Sequence, residues 1–520
     1  MLKLVPIFSD NMVLQRDKNI ALWGKTDLPD GTVITAALHG NTTSANAQGG
    51  EFSMLLAPMA AGGAYTLTIS GGGEERVYQN VMIGEVWLAG GQSNMELELQ
   101  NAQDGAQTLE TLDSSVNVRY YYTQKRAYMD LHETREGKLP QGEMDFFEAE
   151  ENTAWAEASP ENSKSWSAVA FHFAKRVAAE LNVTVGIIGC NWGGTSASCW
   201  MDRETLASGA DTASYLEEYD NATAGKTENE LNKAYDEFQA YDAKWYSDQT
   251  ELLKSEPNLS WDEIQARIGK NLWPGPMGPK NPYRPCGLFE TMVLRVCPYT
   301  LRGFLYYQGE SDDHKPKVYY SLLSKLISLW RHKWGDEELP FLIVQLPMFK
   351  YAHDEDFKHW ARIREAQARV FKTVKNTGLA VILDRGTLDN IHPTDKEPVG
   401  IRLALQALGG VYSQPVKAFG PIYRSYKIAD GVMELCFNHA ENGFIVNGEP
   451  SGFALAGADK QFYPAAAQIC GQGIAISAPE VPAPLYARYL WTNFAQVTIF
   501  NETGIPLAPF RTSMNDEIER

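Results

Sequence analysis

The stretch Gly84-Glu85-Val86-Trp87-Leu88-Ala89-Gly90-Gly91-Gln92-Ser93-Asn94-Met95 decides the fold. The apolar run from 81 to 89 is short, contains β-branched residues and tryptophan, and stops at a glycine pair. This pattern predicts a buried strand that runs into a tight turn. The turn would lift Ser93 above the carboxyl end of a sheet, where α/β folds bind their ligands. The alternative is an ordinary polar loop after a strand. The stretch also differs from a Gly-x-Ser-x-Gly elbow, because Met95 occupies the position of the second glycine.

Three further apolar runs end in polar or glycine-rich turns, at 191–196, 308–312 and 384–396. A helix predicted over 167–181 precedes a strand over 183–190, which is the rhythm of an α/β fold. Helices at 319–334 and 362–375 and strands at 340–346 and 379–383 continue it. In a doubly wound sheet the four turns would converge at one edge. The sequence therefore predicts an α/β core over residues 81–412.

Two predicted β regions flank this core, and one insertion interrupts it. Residues 1–80 contain short β-prone runs between glycine-rich turns, which predicts a small antiparallel sandwich. Residues 413–520 return to short β runs and predict a second β region. Between about 204 and 280, aromatic and leucine residues recur every three or four positions among charges. This spacing indicates an amphipathic helix or helical hairpin whose aromatic stripe serves packing.

Composition and the start of the sequence restrict the classes of partner and the cellular compartment that we expect. The chain of 520 residues has a formal net charge of −19, which argues against nucleic acid and anionic membrane surfaces as partners. No run approaches the roughly 20 apolar residues of a membrane span. The start lacks a long apolar leader, so we expect a cytoplasmic protein, or an exported one if a leader has been removed. Six cysteines without metal-like spacing predict free thiols and no metal site.

The four turns contain the residues of a nucleophilic hydrolase. A serine hydroxyl needs a base to take its proton, and a carboxylate to orient that base. Asp389 precedes His392 by three residues in a loop that follows a strand, so we predict this pair beside Ser93. Glu310 is an alternative partner for the base. Candidate donors to the oxyanion are the Ser93 N–H, an N–H of the glycine pair 193–194 and the side-chain amide of Gln308.

Several blocks of the chain carry a family resemblance. The Gly-Gln-Ser-Asn-Met block at 91–95, Trp-Gly-Gly-Thr at 192–195, Tyr-Gln-Gly-Glu-Ser at 307–311 and Ile-His-Pro at 391–393 resemble the sialate O-acetylesterase family. That family belongs to the wider SGNH-hydrolase (GDSL-like) superfamily. Residues 8–16 and 509–512 are also similar to its members. The resemblance spans nearly the whole chain, and the insertion at 204–280 is the part that it covers least.

The resemblance implies a fold and an activity. The fold is a three-layer α/β/α SGNH-hydrolase core with a mainly parallel sheet and accessory antiparallel β regions at both ends. The activity is the removal of O-acetyl groups from acetylated sugars, O-acetylated sialic acid first, through an acetyl-serine intermediate. No metal or cofactor is implied, and the expected partner is the O-acetylated carbohydrate substrate.

The resemblance also implies roles for individual residues. Ser93 is the nucleophile, His392 the general base and then acid, and Asp389 the carboxylate that orients it. Gly194, preferred over Gly193, and Gln308 complete the oxyanion hole with the Ser93 N–H. Three residues are predicted to touch the substrate: Gln92, Asn94 and Glu310.

Other functions stay open at this level. The same reaction on acetylated xylan or mannan oligosaccharides is the nearest alternative. A catalytically silent carbohydrate-binding protein with an SGNH fold is a rival of a different class, and a lipase-like esterase with a wide apolar groove is a third. The sequence leaves open the oligomeric state, the acetyl position attacked, the role of the insertion, and carbohydrate binding by the C-terminal β region.

Overall fold

The structure, a computed structural model, describes residues 1–113, 115–128, 153–351 and 355–517. The strands of these residues are β1 (Leu2–Leu4), β2 (Val13–Gln15), β3 (Ile20–Thr26), β4 (Val33–Leu38), β5 (Asn41–Asn46), β6 (Glu51–Leu56), β7 (Gly62–Gly71), β8 (Glu74–Gly91), β9 (Val118–Tyr122), β10 (Ala156–Glu157), β11 (Val185–Asn191), β12 (Gly303–Tyr307), β13 (Phe341–Gln345), β14 (Thr377–Val381), β15 (Ile422–Ala429), β16 (Val432–Asn438), β17 (Ile445–Val446), β18 (Phe453–Ala456), β19 (Tyr463–Pro464), β20 (Ala466–Cys470), β21 (Gly473–Ser477), β22 (Tyr486–Tyr489), β23 (Ile499–Phe500) and β24 (Phe510–Arg511).

The α-helices of the same residues are α1 (Ser93–Glu96), α2 (Gly105–Glu110), α3 (Ala168–Leu181), α4 (Arg203–Ala207), α5 (Ala210–Thr223), α6 (Glu228–Ser255), α7 (Trp261–Ile268), α8 (Leu294–Val296), α9 (Tyr319–Trp334), α10 (His359–Thr373) and α11 (Glu397–Gln406). Short 3₁₀ turns follow several strands, among them Ala197–Trp200, Glu310–Asp312 and Leu383–Arg385. The helix predicted over 319–334 is confirmed, and the one predicted from 362 begins at 359.

A mainly parallel sheet forms the centre of the molecule. Its strand order is β10-β9-β11-β8-β12-β13-β14, with β10 antiparallel at the edge beside β9. Strands β11 and β12 lie on either side of β8 and run parallel to it. The chain order therefore reverses at β8, and a doubly wound sheet binds its ligands at such a point.

Helices cover both faces of this sheet, which confirms the predicted three-layer α/β/α class. Trp87 of β8 packs edge-to-face against Phe173 of α3. Three residues later, on the opposite face of the strand, a Cβ on Gly90 would lie 3.0 Å from the Trp330 ring of α9. Both faces exclude water, so strands such as β12 and β13 are continuously buried and largely apolar.

The long strand β8 connects the N-terminal β region to the core. Its first part pairs antiparallel with β7, and its second part lies between β11 and β12. The predicted domain limit at residue 80 falls inside this strand, while the remaining limits stay predictions. Glu85, fully buried within β8, accepts hydrogen bonds from Arg16 Nε at 2.5 Å and Arg302 Nε at 2.8 Å. These bonds tie the N-terminal region to β8 and to the residue that precedes β12.

The C-terminal part forms small antiparallel sheets, as predicted. Their orders are β15-β16-β21-β20, β17-β23 and β19-β18-β22-β24. All six cysteines are free thiols, which confirms that prediction. Within the described residues, no helix is long and apolar enough to cross a membrane.

Candidate active site

Ser93 lies where the sequence placed it, in the turn after β8. Gly91 has φ of +133°, and a Cβ there would come within 2.1 Å of the Tyr307 carbonyl oxygen, so only glycine fits. The Gln92 N–H donates to that same carbonyl at 3.0 Å. Ser93 then opens α1 at the carboxyl end of the sheet. The close approach of β8 and β12 thus fixes the turn that presents the serine.

The structure brings the predicted base to the predicted nucleophile. His392 Nε2 lies 2.8 Å from Ser93 Oγ, although 299 positions separate the two residues in the chain. The His392 residue as a whole is exposed, but its imidazole ring is partly buried at the cavity wall. This partial burial lowers the pKa of the imidazole, and the Lys396 cation lowers it further, against a smaller effect of Glu96. The imidazole is therefore neutral, and able to accept a proton, at neutral pH.

The predicted orienting carboxylate is nearby but not in contact. Asp389 is exposed and lines the same cavity as Ser93 and His392. Among the described residues, no hydrogen bond or ion pair joins it to His392. The alternative partner Glu310 makes no hydrogen bond to His392 within the described residues either, and its Oε1 accepts from Asn94 Nδ2 at 2.6 Å. The structure therefore shows a Ser–His pair, and the role of Asp389 stays a prediction.

Two backbone N–H groups are available to a developing oxyanion. Within the described part of the chain, the Ser93 and Gly194 N–H groups have no acceptor, and both residues line the cavity. The Gly193 N–H is already used, since it donates to Glu96 Oε2 at 2.5 Å. Gly194 has φ of +75°, and a Cβ there would press on the Trp273 ring at 3.0 Å. This arrangement agrees with the preference for Gly194 over Gly193.

The structure does not place Gln308 as an oxyanion donor. Its side chain is fully buried, and Nε2 donates to Asp312 Oδ2 at 2.6 Å and to the Thr195 carbonyl at 3.2 Å. Its Oε1 accepts from the Tyr319 hydroxyl at 2.9 Å. Both amide protons are taken, so the prediction that Gln308 donates to the oxyanion is corrected. Its side chain instead hydrogen-bonds the turns after β11 and β12 to each other.

The three residues predicted to touch substrate fall into two groups. Gln92 and Glu310 line the cavity. Gln92 Oε1 accepts from the Ser311 N–H at 3.2 Å, and its Nε2 has no partner among the described residues. Asn94 is buried, and its amide is fully occupied by Glu310, the Ile391 carbonyl and Lys396. The prediction that Asn94 binds substrate is therefore corrected.

The cavity beside Ser93 has a volume of about 1170 Å³. One wall comes from the insertion, which folds as helices α4 to α7 and a proline- and glycine-rich return loop. The cavity-facing aromatic residues of this wall are Tyr215, Tyr219, Tyr246, Trp261, Trp273 and Tyr283. Trp261 and Trp273 are each 49 % exposed, so they are not held in a core. The stripe predicted to serve packing is buried at Leu231, Tyr235 and Trp245, and the aromatic residues that face the cavity lie outside it.

The charged groups that line the cavity are acidic. Its carboxylates are Glu218, Glu310, Asp313 and Asp389, and the described lining contains no lysine or arginine. Burial raises the pKa of Glu310 to about 6, while its hydrogen bond from Asn94 opposes the rise. The described residues contain no group of three histidine, cysteine or acidic side chains arranged to hold a metal ion.

A mainly parallel sheet between two helical layers, with a serine–histidine pair and two free N–H groups at its switch point, defines a serine hydrolase. Its sequence blocks resemble the SGNH type. Comparisons with known proteins make the class more specific. Residues 281–408 match the family model described as carbohydrate esterase, sialic acid-specific acetylesterase. The match includes His392 and Lys396 and ends before the C-terminal β region.

Relatives extend the similarity over most of the chain. Mouse sialate O-acetylesterase is 24 % identical over 468 residues, which cover 83 % of this chain and 78 % of that protein. The human enzyme is 24 % identical over 452 residues, covering 80 % and 72 %. The crystal structure of a carbohydrate acetylesterase from Xanthomonas citri superposes with a TM-score of 0.76 at 28 % identity, covering 99 % of this chain and all of that one. These findings confirm the resemblance to the sialate O-acetylesterase family, and the chain is a carboxylic ester hydrolase.

Sequence reasoning missed two parts of the site. The sequence pattern gives Lys396 no role beyond the loop that carries His392, yet this lysine is fully buried against Asn94. The pattern gives Glu96 no role either, although its carboxylate accepts from the Gly193 N–H. Position relative to the motifs was the available signal: Glu96 is three residues after Ser93, and Lys396 is four residues after His392.

Proposed function

We propose that this chain hydrolyses O-acetyl esters of sugars, with O-acetylated sialic acid as the first substrate to test. The observation that carries the proposal is the 2.8 Å contact between Ser93 Oγ and His392 Nε2 at the wall of a large, aromatic-lined cavity. The family match and the names of the relatives support the choice of an acetyl group on a sugar.

The geometry suits a two-step acyl transfer. His392 Nε2 takes the proton of Ser93 Oγ as the oxygen attacks the acetyl carbonyl carbon. The oxyanion that forms meets the N–H groups of Ser93 and Gly194. The tetrahedral intermediate expels the sugar oxygen, which receives the proton from His392 and leaves as the free hydroxyl. Water, deprotonated by His392, then attacks the acetyl-serine, and acetate is released as Ser93 regains its proton.

Asp389 is the candidate for the third member of the triad. It precedes His392 in the same exposed loop, whereas Glu96 accepts from the Gly193 N–H and Glu310 accepts from Asn94. Hydrogen bonds of catalytic groups are often long in free enzymes and tighten when substrate binds. We infer that Asp389 engages the second imidazole nitrogen in the substrate complex.

A neutral acetylated oligosaccharide is a second candidate substrate. The described cavity lining contains four carboxylates and no lysine or arginine, whereas a sugar carboxylate is usually met by a cation. The volume also exceeds the roughly 300–1,000 Å³ of ordinary small-molecule sites, so more than one ring would fit. Acetylated xylo- and manno-oligosaccharides therefore belong in the same test.

The test is acetate release from 9-O-acetylated sialic acid, acetylated xylo- and manno-oligosaccharides and an aryl acetate. We expect release from at least one sugar, and its loss in Ser93→Ala. Release from the aryl acetate alone would overturn the sugar assignment. No release from any member of the panel would favour the silent carbohydrate-binding protein, and a preference for esters longer than butyrate would favour a lipase-like enzyme.

A further inference from the structure

A buried lysine lies directly behind the catalytic pair. Lys396 is fully buried at the start of α11, and its Nζ donates to Asn94 Oδ1 at 2.6 Å. The ammonium also lies 5.2 Å from the centre of the Tyr307 ring. Lysine is almost never fully buried without a partner, because removal of the charge from water is costly. The cost of burying Lys396 therefore indicates that its position serves a role in the site.

Asn94 links this lysine to a buried carboxylate. Its Oδ1 accepts from Lys396, so its Nδ2 is directed to Glu310 Oε1 at 2.6 Å and to the Ile391 carbonyl oxygen at 2.9 Å. Lysine can only donate, and a main-chain carbonyl can only accept, so this set of partners fixes the orientation of the amide. Both Asn94 and Glu310 are at most 3 % exposed.

These contacts join three turns that are far apart in the chain. Asn94 follows the nucleophile after β8, Glu310 follows β12, and Ile391 immediately precedes His392 in the loop after β14. The hydrogen bond to the Ile391 carbonyl therefore anchors the backbone of the base to the residue next to the nucleophile. The loop is exposed from 387 to 390. Main-chain bonds hold it on either side, from the Lys350 N–H to the Leu388 carbonyl at 3.1 Å and from the Gln103 N–H to the Thr394 carbonyl at 2.9 Å. The bond from Asn94 joins it to the Ser93 turn.

We propose that Lys396, Asn94 and Glu310 act as positioning residues. Together they form a buried hydrogen-bonded network, here called the relay, that fixes the position of the His392 loop relative to the Ser93 turn. The proposal rests on the proposed function, since it assigns the relay to the same ester-hydrolysing site. A second consequence is electrostatic: a cation behind the imidazole disfavours its protonated form, which keeps the base ready to accept a proton.

The charged groups around the relay set its response to pH. Lys396 faces Glu310 and Asp395, Glu310 faces Lys396 and Asp313, and His392 faces Lys396 and Glu96. Burial lowers the pKa of Lys396 to about 7, while Glu310 and Asp395 oppose the fall. Below that pH the lysine is mainly protonated. Its removal is therefore felt most strongly on the acid side of the activity profile.

The test compares Lys396→Met and Asn94→Asp with wild type on an aryl acetate, whose small size leaves sugar binding out of the measurement. Lys325→Met is the matched control, since Lys325 Nζ also donates to side-chain oxygens, those of Ser208 and Thr212, away from the catalytic pair. Circular dichroism and thermal melting establish the folded fraction. Asn94→Asp is nearly isosteric and decides the question if Lys396→Met does not fold.

Both relay variants are expected to lose about 10- to 100-fold in kcat per folded enzyme, with little change in KM, because a small misplacement of the base slows the chemical step. The acid limb of kcat/KM should move to higher pH, since loss of a cation or gain of an anion raises the pKa of His392. An unchanged kcat and an unchanged acid limb would overturn the relay. If wild type hydrolysed no acetyl ester at all, the proposed function would fail instead.

Discussion

The two sides of the cavity are built in different ways. On the sheet edge, the turns after β8 and β12 are mostly buried and the turn after β11 is partly buried. They are held by backbone and amide hydrogen bonds, such as Gln92 to Tyr307 and Gln308 to Asp312. On the insertion side, Trp261 and Trp273 stand half exposed. Rigid elements place reacting atoms accurately, whereas exposed aromatic surfaces offer contact area to a ligand. From this comparison we infer that the sheet edge carries out the chemistry and that the insertion selects the sugar.

The largest effect is expected at the sheet edge. Ser93→Ala removes the attacking oxygen and should lower kcat for every ester by about 10⁴-fold or more. Ser425→Ala, an exposed serine of β15, is the control and should stay at the wild-type rate. Acetate release per folded enzyme measures both. A Ser93→Ala enzyme within tenfold of wild type would break the assignment of chemistry to this edge.

Asp389→Asn tests whether the exposed loop completes the triad during turnover. If its carboxylate engages His392 in the substrate complex, kcat should fall by about 10²- to 10⁴-fold, because the imidazolium loses its stabilising charge. Steady-state kinetics on the aryl acetate measure the effect. A loss smaller than about threefold would remove Asp389 from the reaction and leave a Ser–His dyad.

The insertion side should respond to substrate size rather than to chemistry. Trp261→Ala should lower kcat/KM for an acetylated oligosaccharide by roughly 3- to 10-fold, the loss of one aromatic contact, and should not change the aryl acetate rate. Tyr426→Ala, an exposed aromatic residue of β15, is the control. Equal losses of kcat/KM on both esters would show that the aromatic wall stabilises the fold and does not bind the sugar.

The smallest effect on catalysis is expected far from the cavity, at Glu85. Burial alone would raise the pKa of this carboxyl, but the bonds from Arg302, Arg16 and Gln15 lower it overall. Its stabilising contribution is thus present above its unfolded pKa and is lost as pH falls through the lower folded value. Glu85→Gln should destabilise folding by about 3 kcal/mol.

The change at Glu85 should leave kcat of the folded enzyme near wild type. Urea unfolding at pH 7 and at pH 4, with exposed Glu449→Gln as the control, measures the stability. The difference between Glu85→Gln and wild type should shrink at the lower pH. A constant difference at both pH values would contradict the account of this ion pair.

Local patterns predicted the sheet and its turns, because a short apolar run that ends at glycine or polar residues indicates a buried strand followed by a tight turn. The prediction that Gln308 donates to the oxyanion was wrong, because only the packed fold shows that Asp312 and Thr195 take both of its amide protons. Trp245 and Trp261 look alike in the sequence, yet one is buried and the other half exposed. Burial of Lys396 likewise depends on long-range packing, because lysine is ordinarily a surface residue.

The most direct test of the central claim is to trap the intermediate. Wild type and Ser93→Ala are mixed with an acetyl ester, quenched in acid within the first turnover, digested and analysed by mass spectrometry. The account predicts one acetyl group on Ser93 in the wild type and none on the corresponding peptide of the variant. Rapid acetate release without acetyl on Ser93, or release by Ser93→Ala at the wild-type rate, would contradict it.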